Sequence, residues 1–199
     1  MFQNRDVIRI LPPPSAVDYY PAWLNPTESI ELMSHLQLKV FWKQEPIVLF
    51  GKAVMQPRLT AWMAEQGRPY RYSGITMQAQ EFLPELIPLK SKLEDLCGIR
   101  FNSALLNLYR HGNDSMGWHR DNEKELGPDP VIASLSLGAA REFQMRRYHD
   151  KSDKRKLLLE PGSLLIMSGQ SQTHYEHQLP KMKQVLDTRI NITFRTIVG

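Results

Sequence analysis

The hydrophobic pattern of the chain changes to a period of two beyond Arg100. Short β-prone runs follow one another there, separated by turn residues: FNSALLNLY, VIASLSLG, REFQMRRY, KLLLEPGSLLIMSG and RINITFRTIV. Successive side chains of a strand point to opposite faces of a sheet, so this alternation indicates half-buried strands. The pattern therefore predicts a β-rich half, with helices attached to it.

The segment NPTESIELMSHLQ predicts the first helix. Asn25 suits the N-cap, Pro26 the first helical position and Glu28 the reciprocal position of a capping box. Ile30, Met33 and Leu36 are expected to form its apolar stripe.

A second helix is predicted in PELIPLKSKLEDLCG. Its apolar positions recur at helical spacing, at Leu86, Leu89, Leu93 and Leu96. Gly98 offers a C-terminal stop, because glycine readily adopts the left-handed conformation that ends many helices. The start of this helix is left open by Pro88.

At 199 residues the chain is expected to form one domain over residues 1–199. The hydrophobic fraction of 42% is ordinary for a globular protein, and no apolar stretch approaches the length of a membrane span. The opening MFQNRDVIRILPPP lacks the apolar core of a secretory signal, and the only cysteine, Cys97, cannot form an internal disulfide. We therefore expect a cytoplasmic protein in a bacterium, or a nuclear one in a eukaryote.

Positive charge is concentrated in one segment. The whole chain carries a formal charge of +4, and residues 141–156 hold seven Lys or Arg against three Asp or Glu, which is 7 − 3 = +4. Such a segment suits phosphate contacts, and a solvated charged hairpin is the alternative interpretation.

The heptapeptide GWHRDNE suggests a metal site. If it is extended, His119 and Asp121 project from the same face. A third ligand could come from His149, His174 or His177, which follow later in the chain. Two histidines and one carboxylate form the facial triad of iron oxygenases, which leaves positions on the metal for a co-substrate and oxygen.

The two faces of the last run, RINITFR, differ in character. One face carries Ile190, Ile192 and Phe194, and the other carries Arg189, Asn191, Thr193 and Arg195. If the polar face points inward, its two guanidinium groups need anionic partners, and a small dicarboxylate would supply them. Together with a facial triad, this favours 2-oxoglutarate. In SALLNLYR, Asn107 and Tyr109 share one strand face and could add hydrogen bonds to the same ligand.

The segments NLYRHGNDSMGWHRDNE, IASLSLGAAREFQMR, PGSLLIMSG, HYEHQLP and RINITFR resemble the AlkB family of iron- and 2-oxoglutarate-dependent dealkylating dioxygenases, from about Pro57 to the C-terminus. The resemblance implies an α+β fold: a double-stranded β-helix (jelly roll) over about residues 100–199, with N-terminal helices and a nucleotide-recognition lid within about residues 1–99. It implies that His119, Asp121 and His177 hold Fe(II), and it favours His177 over His174 because of the H-x-x-P position. It also implies that 2-oxoglutarate is held by Asn107, Tyr109, Arg189, Asn191 and Arg195.

LFGKAVMQPRLTAW and YRYSGITM resemble the nucleotide-recognition lid of the members that repair duplex DNA. Tyr70 and Tyr72 would stack on a flipped base, or alternatively be half-buried strand aromatics. Phe50, beside Gly51, would be a wedge at a hairpin tip, or alternatively a core residue.

Further contacts to the nucleic acid are expected around the pocket. Phosphates are assigned to Arg58, Lys181, Lys183 and the segment 146–156, and base contacts to Asn122 and Glu123. Asn122 departs from the family, several of whose DNA-repair members have an acidic residue directly after the metal-binding aspartate.

The resemblance implies oxidative demethylation of N-alkylated DNA bases of the 1-methyladenine or 3-methylcytosine type. The cofactors are Fe(II), 2-oxoglutarate and O2, and the products include succinate, CO2 and an aldehyde. The expected partner is alkylated DNA, without a membrane, and the expected state is a monomer. One alternative is an RNA or tRNA demethylase on the same scaffold, and another is a nucleic-acid-binding module or hydrolase that holds zinc.

Overall fold

The computed structural model describes residues 7–49, 51–65, 70–72 and 75–198. The helices are α1 (Pro26–Lys39), α2 (Ile87–Cys97) and α3 (Ser171–His174). The strands are β1 (Ile8–Leu11), β2 (Val17–Tyr20), β3 (Pro46–Leu49), β4 (Lys52–Met55), β5 (Leu59–Ala64), β6 (Tyr70–Tyr72), β7 (Ile75–Met77), β8 (Ala79–Gln80), β9 (Ser103–Tyr109), β10 (Met116–His119), β11 (Ile132–Gly138), β12 (Arg141–Arg147), β13 (Lys154–Leu159), β14 (Leu164–Met167), β15 (Tyr175–Leu179) and β16 (Arg189–Arg195).

Two sheets form the body of the molecule. The larger has the strand order β1-β2-β14-β11-β16-β9-β5-β8, and the smaller has the order β10-β15-β12-β13. Side chains of both sheets line one pocket. The predicted jelly roll is confirmed. Within the described residues, no helix has the length and apolar character that crossing a bilayer requires.

The first predicted helix is confirmed, with a correction to its buried face. Asn25 caps α1 through a complete capping box with Glu28. Leu32 and Leu36 are buried against the large sheet, whereas Ile30 is 68% exposed. Two residues correspond to more than half a helical turn, so Ile30 lies on the opposite side of the helix from Leu32.

The second helix is also confirmed, and it begins at Ile87 after a 3₁₀ turn over Pro84–Leu86. Gly98 ends it with a φ of 67°, as predicted. Leu96 was expected on the buried stripe but is 43% exposed. Cys97 packs against the core in its place, and burial raises the pKa of its thiol to about 11.

The part of the chain before Arg100 was expected to contain the helices, but it also contributes strands. β1, β2, β5 and β8 belong to the large sheet. β2 pairs with β14 over four residue pairs, from Val17↔Met167 to Tyr20↔Leu164. Such pairing joins segments far apart in the chain, so the local sequence pattern did not indicate it.

The run KLLLEPGSLLIMSG contains two strands that belong to different sheets. β13 pairs with β12 in the small sheet, and β14 pairs with β11 in the large one. Gly162, in the turn between them, has a φ of 75° and lies against the carbonyl of Leu24, where a Cβ would come within 2.7 Å of that oxygen. Each of the two strands contributes one side chain to the pocket wall, Leu159 from β13 and Met167 from β14.

Candidate metal and co-substrate site

A pocket of about 470 Å³ lies between the two sheets. The polar face of β16 lines it with four side chains, Arg189, Asn191, Thr193 and Arg195, while Ile190, Ile192 and Phe194 pack into the main core on the other side. The predicted alternation of β16 is therefore confirmed, and the polar face points inward. Arg189 and Arg195 are six residues apart in one strand, so their Cα atoms are separated by about 20 Å along the pocket.

His119, Asp121 and His177 meet in this pocket. Each offers one ligand atom, and these atoms lie within 4.8 Å of one another. His119 is the last residue of β10 and pairs with His177 of β15, and Asp121 follows two residues later. The sheet pairing thus brings the third residue to the predicted pair.

The other two candidate histidines lie outside this cluster. Nδ1 of His174 is 2.9 Å from Oγ of Ser15. His149 is exposed and contacts the ring of Tyr148. Of the three alternatives, the structure brings His177 to the pair.

The protonation of the cluster suits a divalent metal. Burial lowers the pKa of His119, and burial together with the neighbouring His119 lowers the pKa of His177 to about 3. Burial by itself raises the pKa of Asp121, but the surrounding groups, the positively charged Arg195 first among them, outweigh it, and the pKa is lowered. The cluster therefore presents two neutral imidazoles and a carboxylate, the forms that bind metal.

Two unpartnered atoms support the same interpretation. Nδ1 of His119 donates to the carbonyl of Gly117 at 2.9 Å, and its Nε2 lies 3.7 Å from Oδ1 of Asp121. Oδ1 of Asp121 and Nδ1 of His177 are buried and form no hydrogen bond with any described residue. Unsatisfied buried polar atoms are costly, and a metal ion in the cluster would satisfy a lone pair of the carboxylate.

Arg189 is a second charged group of the pocket. Its Nη2 donates to Oγ of Ser136 at 2.9 Å, and its guanidinium carbon lies 5.3 Å from the centroid of the Tyr109 ring. Burial lowers its pKa to about 10, so the group is still charged at neutral pH. Within the described part of the chain, no carboxylate pairs with Arg189 and its Nε has no hydrogen-bond partner. A buried, uncompensated guanidinium favours a carboxylate ligand.

The remaining predicted co-substrate residues line the pocket, but protein groups occupy part of their polar atoms. Asn191 donates to Oγ of Ser134 and to the carbonyl of Leu135, and its Oδ1 accepts from Thr193. Oδ1 of Asn107 accepts from Nε of Arg58 at 2.7 Å. Sequence reasoning missed Ser134 and Ser136, although their alternation in IASLSLG indicates a polar face.

Arg58 was expected to contact phosphates, and this prediction is wrong. Its side chain is buried and its guanidinium binds Asn107 and the carbonyl of Ser115. The group therefore supports the pocket wall and is not available to a nucleic-acid backbone.

Some of the expected nucleic-acid contacts lie outside the described residues. Phe50 lies outside the described residues, and Tyr70 and Tyr72 lie in β6, whose side chains are also outside the description. Asn122 and Glu123 directly follow the ligand candidate Asp121; Asn122 is exposed and Glu123 is half-buried. Lys181 and Lys183 are exposed.

The basic segment is partly neutralised. Arg146 pairs with Glu176, Arg155 with Asp153, and Lys156 with Glu142. These three side chains therefore fit the alternative interpretation, in which the segment is a charged hairpin and does not contact phosphates.

Comparisons with known proteins agree with this site. Residues 16–195 match the model of the 2OG-Fe(II) oxygenase superfamily. A rat protein named alpha-ketoglutarate-dependent dioxygenase alkB homolog 3 is 41% identical over 192 residues, which cover 92% of this chain and 64% of the relative. The human DNA oxidative demethylase ALKBH2 is 35% identical over 189 residues, 90% of this chain and 72% of the relative.

The solved structure titled "The structure of OsALKBH1" superposes with a TM-score of 0.71 at 14% identity, over 96% of this chain and all of the other, and shows a shared fold. The chain belongs to the AlkB family within the 2OG-Fe(II) oxygenase superfamily. Its family implies Fe(II) as the metal cofactor, with 2-oxoglutarate and O2 as co-substrates. The chain spans a little under two thirds of the length of the alkB homolog 3 relatives that it matches.

Proposed function

We propose that the chain is a dioxygenase that oxidatively removes alkyl groups from N-alkylated bases, of the 1-methyladenine or 3-methylcytosine type, in DNA. The products are the repaired base, succinate, CO2 and an aldehyde. The observation that carries the proposal is one pocket containing both a two-histidine, one-carboxylate cluster and a buried arginine without a carboxylate partner among the described residues.

Fe(II) would be held by His119, Asp121 and His177. Their neutral and anionic forms and their unpartnered buried atoms fit a divalent metal. Bound Fe(II), with 2-oxoglutarate and O2, supplies the oxidising chemistry that hydroxylates the alkyl carbon, and the hydroxylated group then leaves as an aldehyde.

The chain itself positions the co-substrate and excludes water. Arg189 binds the carboxylate that lies away from the metal, and the Tyr109 ring packs against its guanidinium. Apolar side chains of both sheets line the remaining walls, namely Leu105, Met116, Phe143, Leu159, Met167 and Leu179. A zinc-binding module would leave Arg189 without a role.

The base must leave its stack before its alkyl group can reach the cluster, and a lesion that weakens pairing lowers the cost of this step. We assign the walls that receive the base to the segments around Phe50, Tyr70 and Tyr72, with Asn122 and Glu123 beside it. The names of the relatives, a DNA oxidative demethylase among them, support a nucleic-acid substrate. We further propose a single domain that acts as a monomer in the bacterial cytoplasm or the eukaryotic nucleus.

The test is mass spectrometry of methylated oligonucleotides after incubation with the protein, Fe(II), 2-oxoglutarate and ascorbate. Single-stranded DNA, duplex DNA and RNA carrying the same lesion are compared, with His119→Ala as the inactive control. Loss of the methyl group that depends on 2-oxoglutarate supports the proposal. Faster turnover of RNA would select the alternative substrate, because only contacts at the 2′-hydroxyl distinguish the two sugars. No turnover on any methylated oligonucleotide would overturn the proposed function.

A further inference from the structure

Two loops meet beside the metal cluster through a stacked pair of side chains. Arg120 lies between the ligand candidates His119 and Asp121, and its guanidinium carbon is 3.9 Å from the centroid of the Tyr148 ring. Nη1 of Arg120 also donates to the carbonyl of Thr173 at 3.3 Å. The Tyr148 ring therefore contacts the residue that separates the two ligand candidates.

Tyr148 is fixed but accessible. Its backbone N–H donates to the carbonyl of His174 at 2.7 Å, which anchors the start of the β12–β13 hairpin. The His149 ring meets it edge to face, with centroids 4.8 Å apart. Tyr148 nevertheless remains 39% exposed, and His149 is exposed as well. An aromatic pair held in place at the surface loses little conformational entropy when a planar group stacks on it.

The charge around this pair favours a polyanion. Three basic side chains of the hairpin region, Arg147, Lys151 and Lys154, are exposed, and none has a carboxylate within 4.0 Å among the residues that the structure describes. Arg120 adds a fourth positive charge against the ring itself. Aromatic rings interleaved with unpaired cations are typical of sites that bind single-stranded nucleic acid.

We propose that the Tyr148 ring, which His149 meets at a steep angle, is a stacking site for an unpaired nucleobase that neighbours the alkylated one. The proposal rests on the proposed function, and it assigns the neighbouring nucleotide to the hairpin beside the metal cluster. A base that leaves its own stack to lie on this ring comes more easily from a single strand than from a duplex, so this site favours single-stranded substrates. The unpaired basic side chains hold the adjoining phosphates.

The competing role for Tyr148 is purely internal: the ring could only hold Arg120, and with it the segment that carries His119 and Asp121. In that case the loss of the ring affects every substrate equally, whether or not a neighbouring base is present. If Tyr148 contacts the neighbouring base directly, removing the ring and removing that base have effects on binding that are not additive. If the ring only holds Arg120, the two effects add independently.

The experiment combines protein variants with substrates that lack one base. Short single-stranded DNA with a central 1-methyladenine is prepared with an intact neighbour or with an abasic site on the 5′ or the 3′ side. Binding is measured by fluorescence anisotropy, and turnover by aldehyde release. The proteins are wild type, Tyr148→Ala, Tyr148→Phe and, as a matched control, Phe41→Ala. Phe41 is another exposed aromatic with a cation over its ring, but it lies beside the far edge strand β8.

We expect Tyr148→Ala to weaken binding to the intact strand about 5- to 150-fold, the range of one base–aromatic stack, and to leave binding to one of the two abasic strands unchanged. Tyr148→Phe and Phe41→Ala should bind like the wild type. Equal losses on the intact and both abasic strands, or no loss at all, would overturn the stacking site. The anisotropy measurement tests the stacking site by binding alone, so it decides this proposal even if the protein turns over no oligonucleotide. A complete lack of turnover would reject only the proposed function.

Discussion

Arg195 and Asp121 form a buried ion pair in which Nη2 lies 3.0 Å from Oδ2, with both side chains 2% exposed. The pair occupies one oxygen of the carboxylate and leaves Oδ1 without a hydrogen-bond partner among the described residues. Arg195 was expected to bind 2-oxoglutarate, but this geometry gives it a second role. It orients the carboxylate that would bind the metal and holds the pKa of that group down.

Replacement of Arg195 should therefore weaken metal binding. We expect Arg195→Gln to lower the affinity for Fe(II) or Co(II) about 10- to 100-fold, the range found when the partner of a metal ligand is removed. Metal titration measures this, and Arg189→Gln is the matched control because it removes the other buried guanidinium of the same strand. If the metal affinity is unchanged and the 2-oxoglutarate requirement is higher, Arg195 binds the co-substrate and does not orient the metal ligand.

Arg189→Gln should act on 2-oxoglutarate instead. A charge-assisted hydrogen bond contributes roughly 1.5–3 kcal/mol, so the concentration of 2-oxoglutarate needed for half-maximal turnover should rise about 10- to 150-fold. Succinate release at increasing 2-oxoglutarate and saturating metal provides the measurement. A saturation curve identical to that of the wild type would count against the anion site.

The three residues that could hold the metal lead to different expectations for the histidines of the chain. His119→Ala, Asp121→Ala and His177→Ala should each abolish turnover, because each removes one of the three ligand atoms that converge. His174→Ala should retain substantial activity, since that ring contacts Ser15 and lies outside the cluster. Metal content and turnover are measured for all four variants, and an active His177→Ala would sink the assignment.

Strand periodicity explains why much of the site could be predicted from the sequence. His119 and Asp121 are two residues apart, and the polar face of β16 alternates strictly with its apolar face. A period of two fixes which side chains share a face, whatever the partner strand is. The capping box of α1 and the glycine that ends α2 are equally local signals.

The features that sequence reasoning missed are ones that tertiary contacts determine. Arg58 gives no local sign that it is buried against Asn107, which lies 49 residues later in the chain. The ion pair of Arg195 with Asp121 likewise joins residues 74 positions apart. Ile30 matched the helical spacing, but the orientation of α1 on the large sheet decided which of its apolar residues became buried.

The predicted role of Phe50 concerns the preference for duplex or single-stranded DNA. Leu49 and Lys52, on either side of Phe50 and Gly51, pair across the β3–β4 hairpin. If Phe50 fills the gap that a flipped base leaves, Phe50→Ala should reduce turnover of methylated duplex DNA much more than that of the same lesion in a single strand. Equal losses on both substrates, or a large fall in the melting temperature, would favour the core interpretation.

The turn that follows β9 should make stability depend on pH in the acid range. Burial by itself raises the pKa of Asp114, but hydrogen bonds from the side chain and backbone of Arg110 outweigh it, so the pKa lies below its usual 3.8. A carboxyl whose pKa is lowered by folding stabilises the protein above its unfolded pKa and loses that contribution as the pH falls through its folded value. Asp114→Asn should therefore lower the free energy of unfolding at pH 7 by about 1.5–3 kcal/mol, the contribution of hydrogen bonds to a charged group.

The difference between wild type and Asp114→Asn should shrink as the pH falls from the unfolded pKa, near 3.8, through the lower folded pKa, where the wild-type carboxyl also becomes neutral. Urea unfolding of both proteins at pH 7 and at successively lower pH measures it. Asp187→Asn is the matched control, because Asp187 is exposed and makes no ion pair with the described residues. A difference that stays constant down to the acid transition would show that Asp114 acts through its shape alone and that its charge does not stabilise the turn.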